Sequence, residues 1–103
     1  MKNKDIVRKI LDLHIKHFIP LQYTERQLKK GEIEPCIRIH ADNDGIYADV
    51  IVWTGDGHDF MDGNYYDDCD GIGGGDTVRE ALSDLLHKTE LAIRTVIKEE
   101  FTE

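Results

Sequence analysis

The stretch "CIRIHADNDGIYADVIVW", residues 36–53, decides how the rest of the chain is read. Apolar and polar residues alternate on both sides of a central Asp-Asn-Asp-Gly, which is the pattern of two half-buried strands joined by a tight turn. Asp44-Gly45 is a favoured two-residue hairpin connection. A turn there sets Ile37 opposite Val52, Ile39 opposite Val50 and Ala41 opposite Ala48 on one apolar face. The other face then pairs Arg38 with Ile51, His40 with Asp49 and Cys36 with Trp53. A turn one residue longer would set Ile39 opposite Asp49 and mix the faces. Register follows the buried face, so the two-residue turn is expected, with Ile37, Ile39, Val50 and Val52 in the core. Tyr47, Ile51 and Trp53 give the second face enough apolar area to predict partial cover.

Outward from the hairpin, "KDIVRKILDLHIKHFI" (residues 4–19) spaces Ile6, Val7, Ile10, Leu11, Leu13, Phe18 and Ile19 as one helical stripe, with His14 filling a gap in it. His14 reads as a histidine at the edge of the core, and Pro20 as the end of the helix. Residues 21–35 are polar, broken by Gly31 and Pro35, with a short helical turn in "TERQLKK". Residues 58–72 supply a third, irregular strand around Phe60 or around Tyr65-Tyr66, with turn signals at Asp62-Gly63 and Gly63-Asn64. From Thr77 the helical period returns through Val78, Ala81, Leu82, Leu85, Leu86, Ala92, Ile93, Val96, Ile97 and Phe101. Thr77 and Glu80 have capping-box spacing, and Asp84 with Lys88 and Glu90 with Arg94 are favourable i,i+4 pairs. The expectation is one α+β domain over residues 1–103: an N-terminal helix, a small antiparallel sheet built on the 36–53 hairpin plus a third strand, and a long C-terminal helix packed on one sheet face. The stripe running on to Phe101 outlasts what a small sheet covers and predicts a homodimer through the C-terminal helix.

Charge is distributed in blocks along the 103 residues, whose formal net charge is −8. Residues 1–38 hold nine Lys/Arg against five Asp/Glu; residues 39–78 hold ten Asp and neither Lys nor Arg. Every acid in that middle block is Asp, the acid of turns and loops. Such a field repels nucleic acid and attracts basic surfaces, so no direct nucleic-acid partner is expected. No run approaches the roughly 18 apolar residues of a membrane span, and the first residues carry no leader pattern. Cys36 and Cys69 are too few for a disulfide framework, so a cytoplasmic protein with reduced thiols is expected.

"DGIGGGDT" before a helix suggests a phosphate loop, but Gly71, Gly73 and Gly75 do not complete GxGxxG, and Asp70 and Asp76 would repel an anion. Around Gly45 a calcium loop would place His40 at its first ligand position and Ile51 at its last. Asp67, Asp68 and Asp70 offer adjacent carboxylates for weak divalent-metal binding. His14 and His17 share a helix face but lack zinc-type partners. Cys36 and His40 lie roughly 13 Å apart along a strand, too far for a nucleophile and its base. No catalytic set converges and no cofactor is implied, so a non-enzymatic role is expected.

Two resemblances bear on that role. Over residues 36–93 the chain resembles HicB-like antitoxins, whose sheet precedes a helix opening on a Gly-Asp-Thr-x-x-Glu-Ala motif. Gly75-Asp76-Thr77, Glu80 and Ala81-Leu82 match it, and "DNDGIYADVIV" looks like the family's hairpin. The family's Asp-Leu-Pro-Gly-Cys stretch is replaced here by Asp67-Asp68-Cys69-Asp70-Gly71, and no DNA-binding module follows. In size, Asp-rich loops and helix–hairpin–helix layout the chain also resembles small acidic phage inhibitors of host nucleases, the anti-CRISPR and DNA-mimic proteins. Both resemblances imply an acidic surface offered to a basic nucleic-acid-binding groove, in a CRISPR nuclease or in a small RNase toxin. The residues expected to bind the partner are Asp42, Asp44, Asp49, Asp56, Asp59, Asp62, Asp67, Asp68 and Asp70.

Overall fold

The computed structural model describes residues 2–60 and 71–97, the side chains of Phe60, Val96 and Ile97 excepted. Four strands form one antiparallel sheet: β1 Glu34–Asp42, β2 Gly45–Thr54, β3 Gly57–Phe60 and β4 Gly73–Gly75. β2 is the centre, with β1 along one side and both β3 and β4 along the other, β4 at its start and β3 at its end. Ahead of the sheet come α1 Asn3–Leu13, a π-helical turn His14–Phe18, α2 Ile19–Gln22 and α3 Glu25–Lys29; behind it comes α4 Val78–Ala92, prolonged by a π-helical turn Ile93–Ile97. The chain is therefore α+β, with helices layered on one sheet face.

The core lies between that layer and the face of β2 that carries Ile46, Ala48, Val50 and Val52. Ile6, Ile10, Phe18 and Ile19 come in from the N-terminal helices, and Ala81, Leu82, Leu85 and Ala92 from α4. His14 stands among them with no exposed surface, its ring 4.8 Å from that of Phe18. It is a core residue rather than an edge one. Pro20 does not end the helix as expected. The π-helical turn at His14–Phe18 loosens the backbone just where the proline ring would meet the preceding turn, and the helix continues to Gln22.

The hairpin keeps its expected faces but turns one residue earlier, at Asn43-Asp44, so that Asp42 faces Gly45, Ile37 faces Val50 and Ile39 faces Ala48. The Asp42 carboxylate accepts the Asp44 backbone N–H at 2.7 Å, which fixes the turn at this position. Neither turn residue has positive φ, so this turn does not by itself match the strand twist; Gly45, at φ 150°, takes up the difference. The β2–β3 connection repeats the device, with Gly55-Asp56 at the turn and Gly57 at φ 151°.

Ile39 departs from expectation in a second way: 42% of it is exposed. The helix layer lies over β2 and β4, and on β1 it packs against Ile37 but leaves Ile39 uncovered, because β1 is the outermost strand. A third strand does form, at Phe60; Tyr65-Tyr66 and the turn at Asp62-Gly63 lie outside the described residues. "GGG" at 73–75, considered from sequence only as part of a phosphate loop, is a strand because α4 needs the room. A Cβ on Gly73 would overlap the backbone of Ala81 and Leu85, so the helix rests directly on this strand. Thr77 caps α4 by accepting the Glu80 backbone N–H at 3.1 Å.

Candidate binding surfaces

Among the described residues the expected aspartates fall into three groups. Asp49 is the clearest departure, having no exposed surface. Arg38, facing it across the hairpin, donates from Nε at 3.0 Å and from a terminal nitrogen at 2.6 Å, a bidentate ion pair. The slip of the turn brought Arg38 opposite Asp49 in place of the expected His40. Asp49 thus neutralises the single cation of the hairpin and presents nothing to a partner.

Asp56 and Asp59 lie at the far end of β2, beside a cleft of about 340 Å³ that Tyr23, Arg26, Lys30 and Glu32 also line. The Tyr23 hydroxyl donates to Asp59 at 2.6 Å, tying β3 to the end of α2. Charge at this end is mixed, two cations among three carboxylates, and it carries no one-sided field.

Asp42 and Asp44 stand at the opposite end, on the β1–β2 turn. β4 runs beside the start of β2, pairing Gly75 with Ile46, and so delivers Asp76 and the α4 entrance to the same end of the sheet. Asp42, Asp44, Asp76 and Glu80 are all exposed, and among the described residues none is held in an ion pair. Arg79, one residue before Glu80, is the nearest cation in sequence. The field of this end registers on Tyr47: Asp42 chiefly, then burial, then Asp44 raise the pKa of its phenol. Asp76 is not among the residues that the sequence points to; its signal is its place in the Asp block, but the β4 pairing is what brings it to the hairpin turn. Asp62, Asp67, Asp68 and Asp70 lie outside the described residues.

The sheet face away from the helices carries Cys36, Arg38 and His40 from β1 beside Tyr47, Asp49, Ile51 and Trp53 from β2. His40 stacks on Tyr47 at 5.6 Å and Trp53 meets His58 at 5.0 Å. Burial raises the pKa of the Cys36 thiol, a hydrogen bond with Trp53 lowers it, and the Glu34 charge raises it again. The glycine strand leaves no phosphate cradle. By the alternation of the ladder, Gly73 and Gly75 bond to β2, while the Gly74 N–H goes to the Asp84 carboxylate at 2.9 Å. Among the described residues no group of three or more His, Cys, Asp or Glu converges as a metal site, and no helix is long and apolar enough to cross a membrane.

Comparison with known proteins gives no match: no family model, no curated relative and no solved structure aligns significantly with the chain.

Proposed function

We propose that the protein is a non-catalytic inhibitor that presents a carboxylate-bearing surface to the basic groove of a nucleic-acid-acting protein. The observation that carries this reading is the net-acidic end formed by Asp42, Asp44 and Asp76, with Glu80 beside them, where Arg79 is the one neighbouring cation and no carboxylate is held in an ion pair among the described residues. Carboxylates that outnumber their cations and are not paired with them keep a net field for an outside partner, and a groove built to hold phosphates supplies the matching charge. A CRISPR nuclease is the target of first choice.

The HicB-like reading, in which the partner is a small basic RNase toxin, uses the same surface. It is supported by the Gly75-Asp76-Thr77-x-x-Glu80 sequence, which makes a strand end, a cap and a helix start in that order. The test is inhibition. The protein is titrated into a nuclease cleavage reaction and a nucleic-acid competition assay, with a small basic RNase in parallel. The proposal expects loss of cleavage that excess nucleic acid relieves. Full cleavage by both enzymes at saturating protein would overturn it.

A further inference from the structure

β1 is a nine-residue edge strand, and among the described residues nothing pairs with its outer side. The hairpin closes on the pair Asp42–Gly45, so alternation assigns the β2-facing hydrogen bonds of β1 to Glu34, Cys36, Arg38, His40 and Asp42. The backbone groups of Pro35, Ile37, Ile39 and Ala41 point outward. Proline has no N–H to give, so the free edge offers three donors, at Ile37, Ile39 and Ala41. Their side chains face the helix layer, which covers Ile37 in part and leaves Ile39 and Ala41 exposed. A long edge with open donors and uncovered apolar residues is a template for another strand.

We infer that a second copy of this chain occupies the edge, β1 against β1, antiparallel, with Ile39 on the two-fold axis. The strand's own residues select this register. With Ile39 opposite Ile39, Ile37 faces Ala41 and Ala41 faces Ile37, so each outward donor meets an outward acceptor and the apolar stripe runs unbroken between protomers. Sliding so that Arg38 faces Arg38 also brings Glu34 against Asp42, a like-charge contact repeated by symmetry. Sliding so that Ile37 faces Ile37 sets Pro35 against Ile39, where a donor is required. Sliding so that His40 faces His40 leaves Ile37 opposite Asn43. With Ile39 on the axis, Asp42 falls beside Cys36 of the partner, and the two Asp42 residues stand six positions apart. That is roughly 20 Å, about two and a half times the Debye length at physiological salt. The two acidic ends therefore act on each other little; each Asp42 lies diagonally between the partner's Arg38 and the partner's Glu34, one attraction against one repulsion, and the pairing does not depend on what the acidic ends bind.

Sedimentation of the full chain across a concentration series tests the inference. A single edge ladder buries less than the roughly 1,200 Å² of a stable complex, so dimer is expected at tens to hundreds of micromolar. Added salt should leave it unchanged or strengthen it. Ile39→Lys and Ile39→Glu each place like charges on the axis and should weaken the dimer about tenfold or more, while circular dichroism shows the fold retained at this exposed position. Mixing the two variants should restore the pair, because lysine then faces glutamate. A parent chain that stays monomeric throughout overturns the inference and leaves the edge to a strand of another protein. Variants that dimerise like the parent overturn it in favour of another seam, and a mixture that does not recover overturns the register.

Discussion

Lowering the pH should unfold this protein through one histidine. His14 is wholly buried in the π-helical turn between α1 and α2, against the Phe18 ring. Burial disfavours its charged form and pushes its pKa from the ordinary histidine value of 6.5 down to about 3. Between those values the unfolded chain binds a proton that the folded chain refuses. The contribution is therefore fully present above the unfolded pKa and is lost as pH falls toward the folded one. The slope approaches about 1.4 kcal/mol per pH unit, so going from pH 7 to pH 5 should cost about 2 kcal/mol, a large part of a small domain's stability. Urea unfolding of the parent and of His14→Leu at several pH values isolates the effect. Carboxylates titrate alike in both proteins, so the difference between the two curves belongs to His14. The leucine variant will also shift stability at every pH, and only the slope is diagnostic. A difference curve flat from pH 7 to pH 5 would refute the assignment of a neutral, buried His14.

Three further outcomes follow from packing and pairing. Leu85→Ala, in the core, should cost about 2–5 kcal/mol in urea unfolding, whereas Ile39→Ala at the exposed edge should cost less than about 1 kcal/mol. Gly73→Ala should lose on the order of 3 kcal/mol because α4 must move off the strand, while Gly74→Ala, whose added Cβ meets only the Tyr47 ring at 3.4 Å, should be far milder. Arg38→Ala leaves the Asp49 carboxylate buried without its cation and should cost about 3 kcal/mol; Asp49→Asn in the same background should recover part of it.

The elements that sequence made legible are those whose signal is periodic. Alternation through residues 36–53 gives both strands and both faces. It cannot distinguish the expected turn from the one found, because moving the pairing by two residues leaves every side chain on its face. The Asp42 side chain breaks that tie by taking the Asp44 N–H, and the consequence reaches the candidate site by setting Arg38 rather than His40 against Asp49. Ile39 looked buried because alternation reports which face a residue is on but not how far the helices extend over it. The glycine strand had no side chains to show a period; its signal was the close approach of α4, a tertiary fact. Pro20 follows a local rule, that proline ends a helix, which the π-helical turn relieves. The Asp block was plain as composition, yet composition does not show that Asp49 is spent on Arg38, that Asp56 and Asp59 share a cleft with Arg26 and Lys30, or that Asp76 joins the hairpin turn.

The acidic end is tested most directly by the association kinetics of the parent and of the triple variant Asp42→Asn, Asp44→Asn, Asp76→Asn with the inhibited nuclease at two salt concentrations. Asparagine keeps an acceptor for the Asp44 N–H, so the turn and the fold should persist. Exposed pairs contribute about 0–1 kcal/mol each, so single changes should scarcely register while the summed field matters. The account predicts binding weakened more than about tenfold, chiefly in the association rate, with a shallower dependence on salt as the Debye length shortens. A variant that keeps the parent's affinity and salt slope would contradict it.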